Sequence, residues 1–250
     1  MVNKFKSVAL AGAAAIAMLA TPLAHANLNL SYWNGSSWQV LASSGTDAAV
    51  FLGNAGDFNI AIQTANTNNP GTAANAHETS TTDAITNNGT TAETIYLGIS
   101  QNSFTAPVTP PSIQFSSTVS GTTVGTTAGD SFAFWSCVDQ NNNANPCGNS
   151  DPTSISGSAT LFPLGPSSGS IPVGSAVSFA GPDQRTTIDA LSANYTISQV
   201  LKVTLNAGDS VNFNGSTVLT PVPEPMSILC LGGALLLSSR LFRRKRNPQA

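Results

Sequence analysis

Two tryptophans near the start of the chain have the type and spacing to bind a sugar. Trp33 and Trp38 flank the turn sequence Asn-Gly-Ser-Ser at 34–37, which predicts that their indole rings lie near one hairpin. Aromatic rings present flat apolar faces on which sugar rings stack, and Tyr32 and Trp135 could extend such a platform. The alternation of these rings with polar residues favours a second interpretation, in which they close a hydrophobic core.

A disulfide is expected between Cys137 and Cys147, which enclose nine residues. In an oxidising compartment two cysteines at this spacing pair, and the bond would close a short loop after a predicted strand at 131–138. An unstrained bond of this kind contributes about 2–3 kcal/mol to stability. Zinc binding is the weaker alternative, because no further Cys or His ligand accompanies the two thiolates.

The loop between the cysteines also has the alternating oxygen spacing of a calcium site, at Asp139-x-Asn141-x-Asn143. It lacks a glycine at the sixth position, and Ser150 occupies the twelfth, where a calcium loop has an acidic residue. We therefore predict a solvated, Asn-rich turn and no metal site.

The sequence contains no recognisable catalytic motif. His77 is the sole histidine after residue 25, and no Gly-x-Ser-x-Gly accompanies it, which argues against a Ser-His-Asp site. Glycoside hydrolysis needs paired carboxylates, and Glu78 and Glu93 are the only glutamates between residues 27 and 220. We predict that the chain is not an enzyme and uses no cofactor.

The charge of the chain is unevenly distributed. Between residues 27 and 220, Arg185 and Lys202 stand against eleven Asp and Glu residues, a net charge of −9. This balance excludes nucleic acid as a partner, because binding phosphates requires a basic surface. Anionic membrane surfaces are poor partners for the same reason.

Residues 27–220 have the pattern of a single all-β domain. They are rich in Thr, Ser and Asn, which favour strands and turns over helices. Apolar residues recur at every second position, as in Ile95, Leu97, Ile99 and in Leu201, Val203, Leu205. We predict an antiparallel β-sandwich of jelly-roll or Greek-key type.

Several stretches are predicted to lie outside the strands. Residues 64–92 carry one large aliphatic side chain, Ile85, and are expected to form a long mobile insertion. Residues 107–111 and 163–172 are proline-rich connections, and one or two helical turns are expected within 189–199.

The triplet Ala-Gly-Asp occurs at 55–57, 128–130 and 207–209, each time before an apolar alternating segment. Gly-Asp pairs are typical of tight turns, so we interpret each triplet as a turn that starts a strand. A sequence duplication is the alternative, but the flanking residues align poorly.

The first 26 residues have the three parts of a secretory signal peptide. Lys4 and Lys6 precede an apolar run at 8–20, and Ala-His-Ala at 24–26 matches a cleavage site. A signal helix of this kind implies the Sec translocon and signal peptidase as partners, with a mature chain that begins at Asn27.

Residues 221–250 form a second tripartite segment. A proline-rich stretch leads into an apolar run at 226–242, which is at the short limit for a transmembrane helix. A basic cluster follows, and positive charge of this kind stays on the cytoplasmic side. The defining residues are Pro223, Glu224 and Pro225, and at the basic end Arg243, Arg244, Lys245 and Arg246.

This tail resembles the PEP-CTERM sorting signal of Gram-negative bacteria. The resemblance implies recognition by an exosortase, cleavage near Glu224 after transient anchoring in the inner membrane, and delivery to the cell surface or the extracellular polysaccharide matrix. It implies nothing about residues 27–220, because the signal occurs on unrelated domains. We therefore predict an exported structural or adhesive surface protein. The alternatives are a carbohydrate-binding module that uses Trp33 and Trp38, and a secreted hydrolase.

Overall fold

The structure is a computed structural model that describes residues 26–149 and 151–222, without the side chains of Ile62 and Asn149. The predicted signal helix, the sorting motif, the transmembrane helix at 226–242 and the basic cluster lie outside the described residues. In the part that is described, no helix is long and apolar enough to span a membrane.

The described chain folds into thirteen strands and one kinked 3₁₀ turn at Pro146–Asn149. Most strands are built from β-branched, aromatic and hydroxyl residues, which suit a pleated surface. The strands are β1 (Leu28–Trp33), β2 (Trp38–Ser44), β3 (Ala48–Ala55), β4 (Phe58–Thr67), β5 (Ala76–Asn87), β6 (Glu93–Phe104), β7 (Ile113–Gly125), β8 (Ser131–Asp139), β9 (Leu161–Ser170), β10 (Ser178–Ala180), β11 (Gln184–Ile188), β12 (Tyr195–Leu205) and β13 (Ser210–Pro221).

The strands form two antiparallel sheets that pack face to face. Sheet 1 has the order β2-β1-β6-β12-β8-β9, and sheet 2 has the order β10-β7-β13-β5-β4-β3, with β11 also paired to β7. Along the described residues the chain crosses between the sheets seven times, from β2 to β3, β5 to β6, β6 to β7, β7 to β8, β9 to β10, β11 to β12 and β12 to β13. The molecule is therefore a jelly-roll-like β-sandwich, which confirms the predicted all-β antiparallel architecture.

The interior of the sandwich has two large apolar clusters, and a third, smaller cluster packs Leu28, Leu30 and Ile99 of sheet 1 against Ala49 and Ala65 of sheet 2. The larger cluster contains Ile95, Leu201 and Val203 of sheet 1 against Ile60 and Phe213 of sheet 2. The second cluster includes residues of β6, β7, β11, β12 and β13 and also Leu191. Its largest fully buried members are Phe104, Ile113, Phe115, Ile188, Leu191, Tyr195, Ile197 and Leu219.

Between these clusters the interior is polar. We call this band the polar layer; its buried members are Gln63, Thr67, Glu78, Gln101, Ser117, Ser136, Gln199 and Thr217. The hydroxyls of Ser117 and Ser136 lie 2.7 Å apart, and Ser136 lies 2.6 Å from Thr217 Oγ1. Gln199 Nε2 then donates to Thr217 Oγ1 at 3.0 Å, so these hydrogen bonds join the two sheets.

The predicted mobile insertion at 64–92 is wrong. Its first residues complete β4, and residues 76–87 form β5, which lies between β4 and β13 inside sheet 2. Thr is a good strand former, and the inward positions of β5 include Glu78 and Thr82, which are buried without being apolar. Counting aliphatic residues therefore underestimated how well this segment packs.

Two other predicted irregular segments are also strands. Most of 163–172 belongs to β9, an edge strand, where proline is tolerated because one side of the ladder is unpaired. The helical turn expected within 189–199 is absent from these described residues, and β12 begins there at Tyr195. Residues 107–111 do connect two strands, as predicted.

All three Ala-Gly-Asp triplets form turns before a strand, as predicted. Their glycines have left-handed backbone angles, with φ of 61° at Gly56, 111° at Gly129 and 80° at Gly208. A residue with a Cβ is strained in this region, which explains why glycine occupies the turn.

Candidate functional site

A groove of about 620 Å³ opens at one end of the sandwich. Four separate segments line it: the β1–β2 turn, the β3–β4 turn, the start of β6 and the loop after residue 150. The side chains with chemistry to offer a ligand are Tyr32, Trp33, Asn34, Asp57, Glu93, Tyr96, Asp151 and Thr153.

The two predicted tryptophans occupy different environments. Trp33 ends β1, is half-buried and lines the groove, whereas Trp38 begins β2, is 8% exposed and is not one of the groove residues. Their rings meet edge to face, with centroids 5.6 Å apart and planes at 66°. Trp33 can therefore contact a ligand in the groove, and Trp38 supports it from behind.

Tyr96 adds a second aromatic ring to the groove. It lies on β6 directly opposite Lys202 of β12, and Lys202 Nζ is 5.7 Å from the centroid of the Tyr96 ring. Since a cation at this distance is attracted to the ring face, Lys202 holds the Tyr96 ring in place.

The predicted disulfide is present. Cys137 at the end of β8 is bonded to Cys147, with Cα atoms 5.3 Å apart, and both cysteines are buried. They form a small apolar cluster with Trp38, Leu161 and Val200 on the outer face of sheet 1. The bond therefore fixes the loop that packs against Trp38.

Gly98 of β6 makes room for this packing. A Cβ atom at this position would lie 2.4 Å from Pro146 Cγ and 2.8 Å from Trp38 Cζ3. Atoms cannot approach so closely, so only glycine lets the disulfide loop and the Trp38 ring cover the sheet at this point.

The polar walls of the groove are held by local hydrogen bonds. Asn34 Oδ1 accepts from the backbone N–H groups of Ser36 at 3.0 Å and Ser37 at 2.9 Å, which fixes the β1–β2 turn. Asp151 Oδ1 accepts from the backbone and the hydroxyl of Thr153, at 2.8 and 2.7 Å. These bonds hold the pKa of Asp151 below its ordinary value, so it stays ionised at neutral pH.

The groove combines aromatic faces with oxygen acceptors, which is the composition of a sugar-binding site. The rings of Trp33 and Tyr96 can stack on the apolar face of a pyranose, while Asp57, Glu93 and Asp151 can accept hydrogen bonds from its hydroxyl groups. A general acid for glycoside hydrolysis needs a raised pKa, and Asp151 has a lowered one.

His77 and Glu78 lie away from the groove. His77 is on β5, opposite Val218 of β13, and its backbone N–H donates to Asn68 Oδ1 at 2.8 Å. Glu78, its neighbour in the chain, points into the polar layer. The two residues are therefore on opposite faces of one strand and do not form a joint site.

The predicted Asn-rich turn between the cysteines is confirmed. Asp139 Oδ1 accepts from the backbone of Asn141 at 2.8 Å, and Asn143 Oδ1 accepts from the backbone of Asn145 at 3.0 Å. These side-chain oxygens close local turns, which accounts for their alternating spacing.

A carboxyl pair connects two of the Ala-Gly-Asp turns. Asp130 Oδ1 accepts from the backbone of Asn206 at 2.9 Å, and Asp209 Oδ2 accepts from the backbone and the hydroxyl of Thr127 at 2.8 and 2.6 Å. Burial, together with the neighbouring Asp209 carboxylate, raises the pKa of Asp130 to about 6. Burial opposes the ionisation of Asp209, but the Thr127 hydrogen bonds outweigh it and its pKa is lowered.

The sequence matches no protein-family model and no curated protein. Among solved structures, the chain is similar to the carbohydrate-binding module TmCBM61 in complex with β-1,4-galactotriose, at 9% identity over 62% of this chain and 86% of that one, with a TM-score of 0.25. It is also similar to an exo-β-agarase, at 13% identity over 71% of this chain and 24% of that one, with a TM-score of 0.27. The chain thus spans about a quarter of the agarase.

Sequence reasoning missed most of the groove. Tyr96 had a signal, because it is the outward residue between Ile95 and Leu97 in an alternating strand. Asp57 and Asp151 had none, since both occupy turns in which aspartate is common.

Proposed function

We propose that this chain is an exported surface or matrix protein that binds neutral glycan chains in the groove at the end of its β-sandwich. The observation that carries the proposal is the half-buried Trp33 ring, which lines the groove together with Tyr96 and is backed by Trp38. A rigid, supported aromatic ring loses little conformational freedom when a sugar stacks on it, which favours binding.

The charge of the groove determines which glycans fit. Asp57, Glu93 and Asp151 line it, and the hydrogen bonds from Thr153 keep Asp151 anionic. Acidic polysaccharides would be repelled by this wall, whereas the hydroxyl groups of neutral sugars can donate to it. Neutral glycans are therefore the preferred ligand class.

The two terminal segments of the sequence support a proposed location at the cell surface or in the matrix. The signal peptide at 1–26 supports export by the Sec translocon, and Pro223, Glu224 and Pro225 with the following apolar and basic segments support sorting by an exosortase. A glycan-binding domain released by this route would be retained in an exopolysaccharide matrix by its own ligand.

Binding of the mature protein to the exopolysaccharide of the producing organism tests the proposal. The Trp33→Ala variant should lose retention, while Trp135→Ala should keep it. Trp135 is a suitable control because it is also a half-buried tryptophan of sheet 1 but does not line the groove. Equal retention of both variants, or no retention of the parent protein on any neutral glycan, would refute the groove as a glycan site.

A secreted hydrolase is the second candidate, because three carboxyl groups line the same groove. Glycosidases use two such groups, one as an acid and one as a base or nucleophile. Release of reducing ends from a bound glycan, abolished in both Asp57→Asn and Glu93→Gln, would establish this activity. Binding without turnover would leave a binding module.

A further inference from the structure

Three polar side chains meet inside the sandwich, at one end of the polar layer. Thr67 of β4 and Glu78 of β5 are directly opposite each other in the antiparallel pairing of sheet 2. The Thr67 hydroxyl donates to the side-chain carbonyl oxygen of Gln101, which reaches across from β6 of sheet 1. Thr67 is 8% exposed, Glu78 0% and Gln101 1%, so the three residues are buried together inside the sandwich.

Glu78 has no structural partner that accounts for its burial. Neither of its carboxyl oxygens completes a hydrogen bond with a described residue. Burial raises its pKa well above the ordinary value, although the nearby backbone N–H of Gln101 partly opposes this shift. A buried and unpaired carboxyl group destabilises a fold, and burial favours the protonated, neutral form of this one over the ionised form.

The neighbouring residues hold Glu78 in place without neutralising it. Gln199 Nε2 donates to the backbone carbonyl of Glu78 at 2.8 Å, and Ser80 Oγ donates to Gln199 Oε1 at 2.6 Å. The strand around Glu78 is therefore fixed by the Gln199 side chain of sheet 1, while the carboxyl group itself, on the same face of sheet 2 as Thr67, lies near the backbone N–H of Gln101 without completing a hydrogen bond.

We propose that Thr67 and Gln101 become joined by an intramolecular ester bond that links the two sheets, with Glu78 as the proton-transferring group. This inference goes beyond glycan binding and does not depend on it. A hydroxyl nucleophile, an amide carbonyl and a neutral carboxylic acid are the three groups that such an acyl transfer needs, and they are brought together from three different strands.

The reaction balances without any co-reactant. The Glu78 carboxylic acid protonates the Gln101 amide oxygen as Thr67 Oγ attacks Cδ, which forms the C–O bond of a tetrahedral intermediate. The Glu78 carboxylate then takes the proton from the Thr67 oxygen and passes it to Nε2. Return of the carbonyl expels ammonia, so the C–N bond breaks, the ester remains and Glu78 is again protonated.

Position and burial favour this reaction. Holding the hydroxyl against the amide replaces a bimolecular step by an intramolecular one, with effective concentrations on the order of 10⁵–10⁸ M in well-oriented systems. Ammonia is protonated once it reaches solvent and does not return, and the buried ester is kept from hydrolysis because water is excluded.

Intact-mass measurement of the full chain as secreted tests the proposal directly. After allowance for the two hydrogen atoms lost in the disulfide, the protein should be lighter than its sequence by one ammonia. Peptic digestion at acid pH should yield a peptide containing Thr67 joined to one containing Gln101. Hydroxylamine should separate the two, leaving a free threonine and a hydroxamate at residue 101.

Variants distinguish the ammonia lost when this ester forms from ammonia lost elsewhere in the chain. Thr67→Val and Glu78→Gln should have the full mass, while Thr67→Ser, which keeps the hydroxyl, should show the loss. Thr82→Ala is the matched control, since Thr82 is another buried threonine of sheet 2 but donates to the Phe213 carbonyl, and it should also show the loss. The proposal would be overturned if the parent protein has the mass expected from its sequence and disulfide, or if the loss of ammonia persists in Thr67→Val. Both outcomes are decisive even if a variant folds poorly.

Discussion

The indole rings of Trp33 and Trp38 meet edge to face with their centroids 5.6 Å apart, yet only Trp33 lines the groove. One ring is therefore placed for a ligand, and the other is part of the apolar cluster around the disulfide. This arrangement separates the effect of each residue on binding from its effect on folding.

Replacing the two tryptophans should give different results. Trp33→Ala should abolish glycan binding with a small loss of stability, because Trp33 is half-buried. Trp38→Ala should destabilise the fold by about 3–5 kcal/mol, the range for truncating a buried large aromatic residue. Urea unfolding and calorimetric titration with a neutral glycan check both expectations. Equal destabilisation by the two variants would contradict the separate roles.

Gly98→Ala should disturb the groove from a distance. The new methyl group would overlap Pro146 and Trp38, so one of them must move, at a cost of about 1–3 kcal/mol for overpacking. Near-ultraviolet circular dichroism should register the change at Trp38, and glycan affinity should fall. Gly45→Ala is the control, because a Cβ there meets nothing within 4 Å.

Reduction of the disulfide should weaken both stability and binding. The Cys137–Cys147 bond closes a short loop, which contributes about 2–3 kcal/mol. Without it, the loop that packs on Trp38 is held less firmly. The urea midpoint should fall when a reductant is added. A Cys137→Ser/Cys147→Ser variant should have the same low midpoint with or without reductant.

The carboxyl pair predicts a specific pH dependence of stability. Because the folded pKa of Asp130 is about 6 and its ordinary value is 3.8, the folded protein binds this proton more tightly than the unfolded chain. Its contribution to stability is complete below pH 3.8 and is lost as pH rises through 6. The folded pKa of Asp209 is lowered, so its contribution to stability is present above its ordinary pKa of 3.8 and is lost as pH falls below that value.

Asp130→Asn should therefore stabilise the protein at pH 7, by about 1 kcal/mol once solvent screening is allowed for. The amide cannot ionise, so the difference from the parent protein should shrink as pH falls from 6 to 4. Asp183→Asn, at an exposed position, is the control and should follow the parent curve. A constant difference across this pH range would show that Asp130 does not titrate there.

The terminal segments predict the ends of the mature protein. Intact-mass data on the surface-exposed form should show a chain that begins at Asn27 and ends near Glu224. Retention of residues 226–250 would contradict exosortase processing and indicate a lasting membrane anchor.

The sequence was informative where the interior is apolar and misleading where it is polar. Strands β6 and β12 alternate apolar and polar residues, so their inward faces could be predicted. β5 shows no such signal, because Glu78 and Thr82 occupy inward positions at which a core strand ordinarily carries aliphatic residues. Its place inside sheet 2 rests on its ladders with β4 and β13, and side-chain hydrogen bonds across the polar layer fix its inward face, neither of which a local pattern reveals.

The groove could be predicted only in part, for a different reason. Its lining comes from segments as distant in the chain as Trp33 and Asp151, which are brought together only when the sheets pack. The disulfide was accessible to sequence reasoning because the cysteines are close in the chain. The packing of Trp38 over Gly98 could not be predicted, because a glycine in a strand does not indicate which side chain covers it.

The position of β13 has a mechanical consequence. This strand, the last one in the part of the chain that is described, is paired along its length with β5 on one side and β7 on the other, and the backbone N–H of Val222, just beyond it, donates to the Ser112 carbonyl at 2.7 Å. Tension applied at Val222 along the strand would load both hydrogen-bond ladders in shear at the same moment, whereas an edge strand peels away one bond at a time. A domain pulled from this end would resist extension until two ladders rupture together, and its lifetime under load would be set by that single step.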